Sequence, residues 1–183
     1  MCRVSFLLLK GLWNVKKISI SILFIIPIII VFTTPFLKVF QFEPIRNDLG
    51  KTFYIKLSNI QEFQIIYTHS IHLTDVIESY EIEEDDLHIR LVSMNYSDVA
   101  IGMPAYAEEG QTLIYEDGFY KLQYDEAILE DFNLYIGDVD YDLKFKYEAK
   151  YFDLKKVLGR GETYNFSVQK ISLFDWLKGE KVK

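Results

Sequence analysis

The stretch TLIYEDGFYKLQY, residues 112–124, decides the fold. Two runs with apolar side chains at every second position flank the dipeptide Asp117-Gly118. This dipeptide suits a two-residue type I′ turn, whose positive φ angles match the twist of paired strands. The stretch therefore predicts an antiparallel hairpin, with one apolar face formed by the opposed pairs Leu113–Leu122 and Tyr115–Tyr120.

The same period of two recurs along most of the chain after residue 60. Each run is roughly five to nine residues long, which is usual for half-buried strands. The runs are rich in Tyr, Phe and Ile. About nine or ten such runs, at a spacing of ~8–12 residues, predict an all-β domain. We expect an antiparallel β-sandwich, with a partly open β-barrel as the alternative. The clearest apolar positions are Phe63, Ile65, Tyr67, Val76, Tyr80, Ile82, Phe132, Leu134, Leu143, Phe145, Tyr164 and Phe166.

The N-terminal part has a different pattern. Ile18–Leu37 carries no charge and follows a basic N-terminus, and a helix of ~20 residues spans a bilayer core. The long run ends without a small-residue cleavage motif, which favours a retained anchor over a cleaved signal peptide. Four Lys or Arg residues precede the run, whereas Lys38 and Arg46 follow it. We therefore expect the N-terminus in the cytoplasm and the domain outside.

These patterns predict four parts: a cytoplasmic segment over residues 1–17, a single-pass transmembrane anchor over 18–37, a linker over 38–50 and an extracytoplasmic β domain over 51–183. The whole chain carries −7 and residues 1–40 carry +5, so residues 41–183 carry −12. Phosphate binding needs clustered Lys and Arg. The charge therefore argues against nucleic acid as a partner.

The C-terminal end contains a helix signal. Ser172 and Asp175 have the spacing of a capping box, and Gly179 is a stop signal. An apolar stripe lies between them, formed by Leu173, Phe174, Trp176 and Leu177. We predict a short closing helix on the core, and a membrane-touching helix is the alternative.

The most unusual stretch is YTHSIHLTD, residues 67–75. If Tyr67 faces the core, the period of two makes His69 face inward as well, and the simplest hairpin places Tyr67 opposite Glu78. Such a group is either a hydrogen-bonded cluster that fixes the loop or a recognition pocket. The residues that we select for binding are Tyr67, Thr68, His69, Ser70, Thr74 and Glu78, with Gly102, Met103 and Pro104 as a neighbouring rim.

Enzymatic and metal chemistry have weaker signals. Ser70 and His69 are the residue types of a hydrolase, but the sequence has no G-x-S-x-G elbow. Its three His residues are too few and wrongly spaced for a zinc site. Asp138–Asp142 begins like a calcium loop, but Leu143 stands where glycine is needed. We therefore expect no catalytic residue, metal or cofactor.

The sequence resembles the bacterial DUF1850 family over about residues 58–175. The resemblance is carried by Tyr67-Thr68-His69-Ser70, Thr74, Glu78, Gly102-Met103-Pro104, Glu109-Gly110 and the Asp117-Gly118 hairpin. It implies a small protein with an N-terminal hydrophobic segment, whose gene neighbours tripartite (TRAP) transporters of the TAXI type.

The resemblance and the residue patterns together predict a membrane-anchored, extracytoplasmic, non-enzymatic accessory or binding protein of a TRAP-TAXI uptake system. Its expected partners are the membrane and either the TRAP permease or the TAXI solute-binding protein. The alternative is an envelope structural or interaction module unrelated to transport. A hydrolase that uses Ser70 and His69 is the third hypothesis.

Overall fold

The computed structural model describes Leu23 and residues 25–46, 50–83, 87–99 and 102–182. The predicted cytoplasmic segment 1–17 lies outside the described residues, and so do positions 18–22 and 24 of the predicted anchor. Within the described residues the protein is mostly β, as predicted, with twelve strands in two sheets.

The first sheet has five strands. Their order is β12 (Glu180–Lys181), β2 (Phe53–Lys56), β1 (Leu37–Pro44), β11 (Thr163–Ile171) and β8 (Asp131–Tyr135). All neighbours are antiparallel except β12 and β2, which are parallel. The strand β1 pairs along its full length with β11, from Leu37↔Ile171 to Pro44↔Tyr164.

The second sheet has seven antiparallel strands. Their order is β10 (Lys150–Asp153), β9 (Leu143–Tyr147), β3 (Glu62–Thr68), β4 (Asp75–Ile82), β5 (Ile89–Tyr96), β7 (Phe119–Leu129) and β6 (Gln111–Glu116). The predicted hairpin is confirmed at β6 and β7, where Leu113 pairs with Leu122 and Tyr115 with Tyr120. Asp117 and Gly118 have φ angles of 53° and 83°.

The two sheets share a core made largely of aromatic rings. Phe40 of β1 lies 5.1 Å from Phe63 of β3 and 5.0 Å from Phe145 of β9, measured between ring centroids. A second cluster, formed by Val76, Tyr96 and Leu122, lies beneath the chain that follows β5. The described strands form two open sheets rather than a closed barrel.

The prediction of a linker over residues 38–50 is wrong for its first half. Leu37–Pro44 forms β1, which lies between β2 and β11 in the middle of the first sheet. Val39, Phe40 and Phe42 are fully buried. Because burying large apolar side chains removes their surface from water, this segment belongs to the folded domain.

Residues 25–33 are helical, and we call them the N-terminal helical segment. Among the described residues, no helix has both the length and the apolar character needed to cross a bilayer. The transmembrane anchor therefore stays a prediction.

Two short helices follow later in the chain, α1 (Leu154–Val157) and α2 (Leu173–Lys178). α2 is the predicted closing helix. The side chain of Ser172 accepts a hydrogen bond of 3.1 Å from the backbone N–H of Asp175, and Gly179 is the C-cap. Trp176 packs on Tyr54 of β2, at 6.2 Å between ring centroids.

Candidate functional site

The loop between β3 and β4, residues 69–74, is closed by hydrogen bonds of His69. Its backbone N–H donates to the carbonyl of Thr74 at 2.8 Å, and its own carbonyl accepts from Leu73 at 2.9 Å. Its ring Nδ1 accepts from the backbone N–H groups of Ile71 and His72, at 3.3 and 3.4 Å. A side chain that bonds nearby backbone groups in this way fixes a turn.

Thr68, at the end of β3, strengthens the base of this loop. Its hydroxyl donates to the carboxylate of Asp75 at 3.1 Å, and the two residues form the last pair of β3 and β4. Among the predicted site residues, Thr68, His69 and Thr74 thus lie together, while Ser70 is exposed at the tip.

Glu78 lies on the inner face of β4 between two phenols. The hydroxyl of Tyr80 donates to Oε2 of Glu78 at 2.7 Å, and that of Tyr67 donates to Oε1 at 3.4 Å. The described residues include no salt-bridge partner for Glu78. Among the described residues, this half-buried carboxylate is therefore held by neutral donors.

Burial has the largest effect on the pKa values of Glu78, Tyr67 and Tyr80. It raises the pKa of Glu78, although the hydrogen bonds from Tyr80 and Tyr67 act in the opposite direction. Burial also raises the pKa of Tyr67 and of Tyr80, and the neighbouring charge of Glu78 adds to both shifts. Desolvation disfavours the charged form of every acid in the group, so proton uptake by Glu78 is favoured.

The predicted register of the hairpin is wrong by two residues. Tyr67 pairs with Val76, and Glu78 pairs with Ile65. The loop needs only residues 69–74 because His69 closes it, so β4 already begins at Asp75. Tyr67 still reaches Glu78, because diagonal neighbours on one face of a sheet lie within reach of a long side chain.

The second loop of the predicted site packs beside the first. The hydroxyl of Tyr96 donates to the carbonyl of Pro104 at 2.7 Å. Met103 packs against the cluster that contains Val76 and Tyr96. Gly102 has a φ of +91°, and a Cβ placed on it would lie 3.8 Å from Nε2 of His69. The structure thus places Gly102 beside His69, where the rim was predicted.

The predicted residues form two adjacent groups rather than one pocket. His69 belongs to the loop group, where its ring stacks on His72 at 5.1 Å and lies beside Gly102. Glu78 belongs to the inner-face group, four positions further along the β3–β4 ladder. Tyr67 lies between the groups, because it contacts both apolar clusters of the second sheet.

A groove that sequence reasoning missed lies on the opposite, outer face of the sheet. We call it the outer groove. It has a volume of about 510 Å³ and is lined by Leu73, Thr74, Asp75, Ile77, Asn95, Ser97 and Phe119. Ile77 and Asn95 are paired across β4 and β5, so they point away from the face that carries Glu78.

Two residues that line the outer groove each have a buried side-chain oxygen without a hydrogen-bond partner among the described residues. These atoms are Oδ1 of Asn95 and Oγ of Ser97. Nε2 of His72 is buried in the same way, while its Nδ1 lies 3.3 Å from the carboxylate of Asp98. No sequence motif marks Asn95 or Ser97. Tyr80, in contrast, could be recognised from the sequence, because it lies two residues after Glu78 and therefore on the same face of the strand.

The comparisons with known proteins give one match. The model of a protein family described as "Domain of unknown function (DUF1850)" matches residues 63–154. This range begins within β3 and ends at the start of α1, so it includes both loops and the outer groove. No curated protein and no solved structure matches the chain.

Proposed function

Because the chain belongs to the DUF1850 family, whose description assigns no activity, we propose from the geometry that it is a non-enzymatic binding protein. Its β domain is held outside the cytoplasm by the N-terminal apolar segment. It serves as an accessory of a TRAP-TAXI uptake system, in contact with the permease or the solute-binding protein.

The observation that carries the binding role is the pair of unpartnered oxygens on residues that line the outer groove. A buried polar atom without a partner costs free energy, and folded proteins satisfy most such atoms. A ligand or partner segment with N–H or O–H donors would satisfy these oxygens when the side chains of Asn95 and Ser97 turn towards the groove. Leu73, Ile77 and Phe119 supply apolar surface beside them, which is the mixed lining of a recognition site.

The arrangement of His69 supports the non-enzymatic part of the proposal. Its Nδ1 already accepts two backbone hydrogen bonds, so that nitrogen is not available to take a proton from Ser70. A general base must lie within hydrogen-bond reach of the proton that it removes. Turnover of a generic ester that disappears in Ser70→Ala would contradict this part.

The membrane and transport parts rest on different support. The apolar run Ile18–Leu37 and the Lys/Arg asymmetry around it support the anchor and its orientation. The link to TRAP-TAXI uptake rests on the family resemblance. A reporter fusion at the C-terminus that is active only in the cytoplasm would contradict the orientation.

Crosslinking in intact membranes tests the partner. A photo-reactive amino acid replaces Phe119, which lines the outer groove, and the matched control replaces Tyr151 on β10. Both side chains are exposed and aromatic, but Tyr151 lies on the opposite edge of the second sheet. We expect a transporter component to be crosslinked from position 119 and not from 151. Equal crosslinking from both positions, or none of a transporter component, contradicts the proposal.

Ser97→Ala separates recognition from folding. The hydroxyl has no partner among the described residues, so its removal should leave the melting temperature unchanged or slightly higher. Crosslinking from position 119 should nevertheless fall. If crosslinking is unchanged, Ser97 does not contribute to binding, and the outer groove is not the recognition surface.

A further inference from the structure

The helix α2 leaves one apolar face uncovered. Trp176 turns towards the first sheet, where it packs with Tyr54, Val39 and Ile171. Phe174 and Leu177 lie on another face, three residues apart and thus adjacent on a helix. They are 58% and 61% exposed. Two adjacent large apolar side chains in water indicate a surface that something else covers.

This face lies where the N-terminal helical segment joins the domain. The backbone N–H of Phe36 donates to the carbonyl of Ile171 at 3.1 Å, and Ile171 is followed directly by Ser172, the N-cap of α2. Phe36 is itself 51% exposed. The junction and the start of α2, with Phe174, therefore lie at one end of the first sheet, and Leu177 follows on the same face of the helix.

The N-terminal helical segment is apolar all around. Its large side chains are all exposed, namely Ile25, Ile26, Ile28, Ile29, Ile30, Val31 and Phe32. A helix without a polar face requires an apolar environment on every side. The position of this segment therefore indicates which end of the domain faces that environment.

The same end of the first sheet is basic, although residues 41–183 are strongly acidic. Lys38 pairs directly with Lys170 across β1 and β11, and Lys56 pairs with Val39 on the neighbouring strand. Asp175 in the first turn of α2 is the acidic residue of this surface. None of these three lysines forms a salt bridge with a described residue. Opposed like charges destabilise a strand pair, and an anionic surface would offset this cost.

We propose that the exposed face of α2, together with Phe36, rests in the headgroup layer of the membrane that holds the N-terminal segment. This inference rests on the proposed anchoring. Phe174 and Leu177 enter the boundary between headgroups and acyl chains, while the lysines contact anionic headgroups. The contact fixes the tilt of the β domain on the bilayer.

Spin labelling of the full chain in vesicles tests this placement. Cys2, the only cysteine, is replaced by serine, and Leu177→Cys carries a nitroxide. Phe119→Cys is the matched control, because Phe119 is 59% exposed but lies in the hairpin of the other sheet. The vesicles contain phosphatidylcholine and phosphatidylglycerol. Collisions of the label are measured with oxygen, which enters lipid, and with a water-soluble nickel chelate.

We expect the ratio of oxygen to nickel accessibility at position 177 to exceed that at 119 by about threefold or more, as for a side chain in the interface. Equal oxygen-to-nickel ratios at positions 177 and 119 of vesicle-bound protein would overturn the inference. They would not contradict the proposed membrane anchor. Protection of position 177 from both reagents means that a protein covers α2, which also overturns it. If the chain does not float with the vesicles, the proposed anchoring and the inference both fail.

Discussion

Tyr80 donates a hydrogen bond of 2.7 Å to Glu78, two residues earlier on the same strand. Consecutive same-face residues of a strand usually stand side by side without bonding, because their Cα atoms are ~6.6 Å apart. Here a β-bulge occurs between Ser79 and Tyr80, and the long phenol reaches back. The carboxylate thereby obtains a donor inside the fold.

The charge of Glu78 should make stability depend on pH. Since burial raises its pKa in the folded state, the unfolded chain releases the proton first. The free energy of unfolding should therefore fall as the pH rises from about 4.3, the ordinary glutamate value, through the raised pKa of the folded protein. Glu78→Gln should raise the melting temperature at neutral pH and change it little below about pH 4, where both forms are neutral.

Thermal unfolding of both proteins across this range measures the effect. Glu116→Gln is a matched control, because Glu116 is exposed on β6. A Glu78→Gln protein that loses stability equally at every pH would show that the charge of Glu78 is not destabilising.

Removing one phenol at a time should reveal which one holds the carboxylate. Tyr80→Phe deletes the 2.7 Å bond and leaves an oxygen of a half-buried carboxyl group without a donor, at a cost of about 1–3 kcal/mol. Tyr67→Phe should cost less, because its hydroxyl lies 3.4 Å from Glu78. Urea denaturation measures the free energy of unfolding that each variant loses. A larger loss in Tyr67→Phe than in Tyr80→Phe would contradict this geometry.

The first strand should be indispensable for folding. Phe40 is fully buried and contacts the rings of Phe63, Phe145, Tyr147 and Phe166. Phe40→Ala should reduce the free energy of unfolding by about 3–5 kcal/mol. Likewise, a chain that begins at Pro35 should show cooperative unfolding, whereas one that begins at Gln41 should not. Equal circular dichroism melts of the two shortened chains would show that β1 is dispensable.

Gly179 should be needed for the docking of α2. A Cβ at this position would lie 2.6 Å from Cδ2 of Tyr54 and 3.0 Å from the carbonyl of Thr52. The ring of Tyr54 is held beneath Trp176, so it cannot simply turn away. Gly179→Ala should cost about 1–3 kcal/mol and shift the fluorescence of Trp176.

Gly137→Ala is the matched control for this substitution. A Cβ there meets no atom closer than 3.7 Å, and we expect a change within about 0.5 kcal/mol. If both alanine variants melt alike, the contact between Gly179 and Tyr54 does not limit the position of α2.

Most strands of the second sheet could be predicted because apolar and polar residues alternate along them; the short edge strand β10 was not predicted. β1 could not be predicted either. Val39 packs beneath α2, while Phe40 and Phe42 pack in the main core, so both faces of the strand are buried. A strand covered on both sides loses its alternation and cannot be distinguished from the end of an apolar run.

The candidate site was only partly accessible to sequence reasoning for a related reason. The rim at Gly102 was predicted beside His69 and lies there, but the sequence did not show that His69 and Glu78 belong to separate groups, because that depends on the strand register. Nothing in the sequence marks Asn95 or Ser97 either. Whether a side-chain oxygen has a hydrogen-bond partner depends on the strands that surround it in the fold.

The sequence by itself determined the β class, the Asp117-Gly118 hairpin and the capped closing helix, because turns, caps and period-two patterns are local physics. Tertiary structure alone decided the register that pairs Glu78 with Ile65, the burial of β1 in the first sheet and the outer groove beside Asn95. These depend on which strands become neighbours, and that choice is made by the shared aromatic core, not by any one segment.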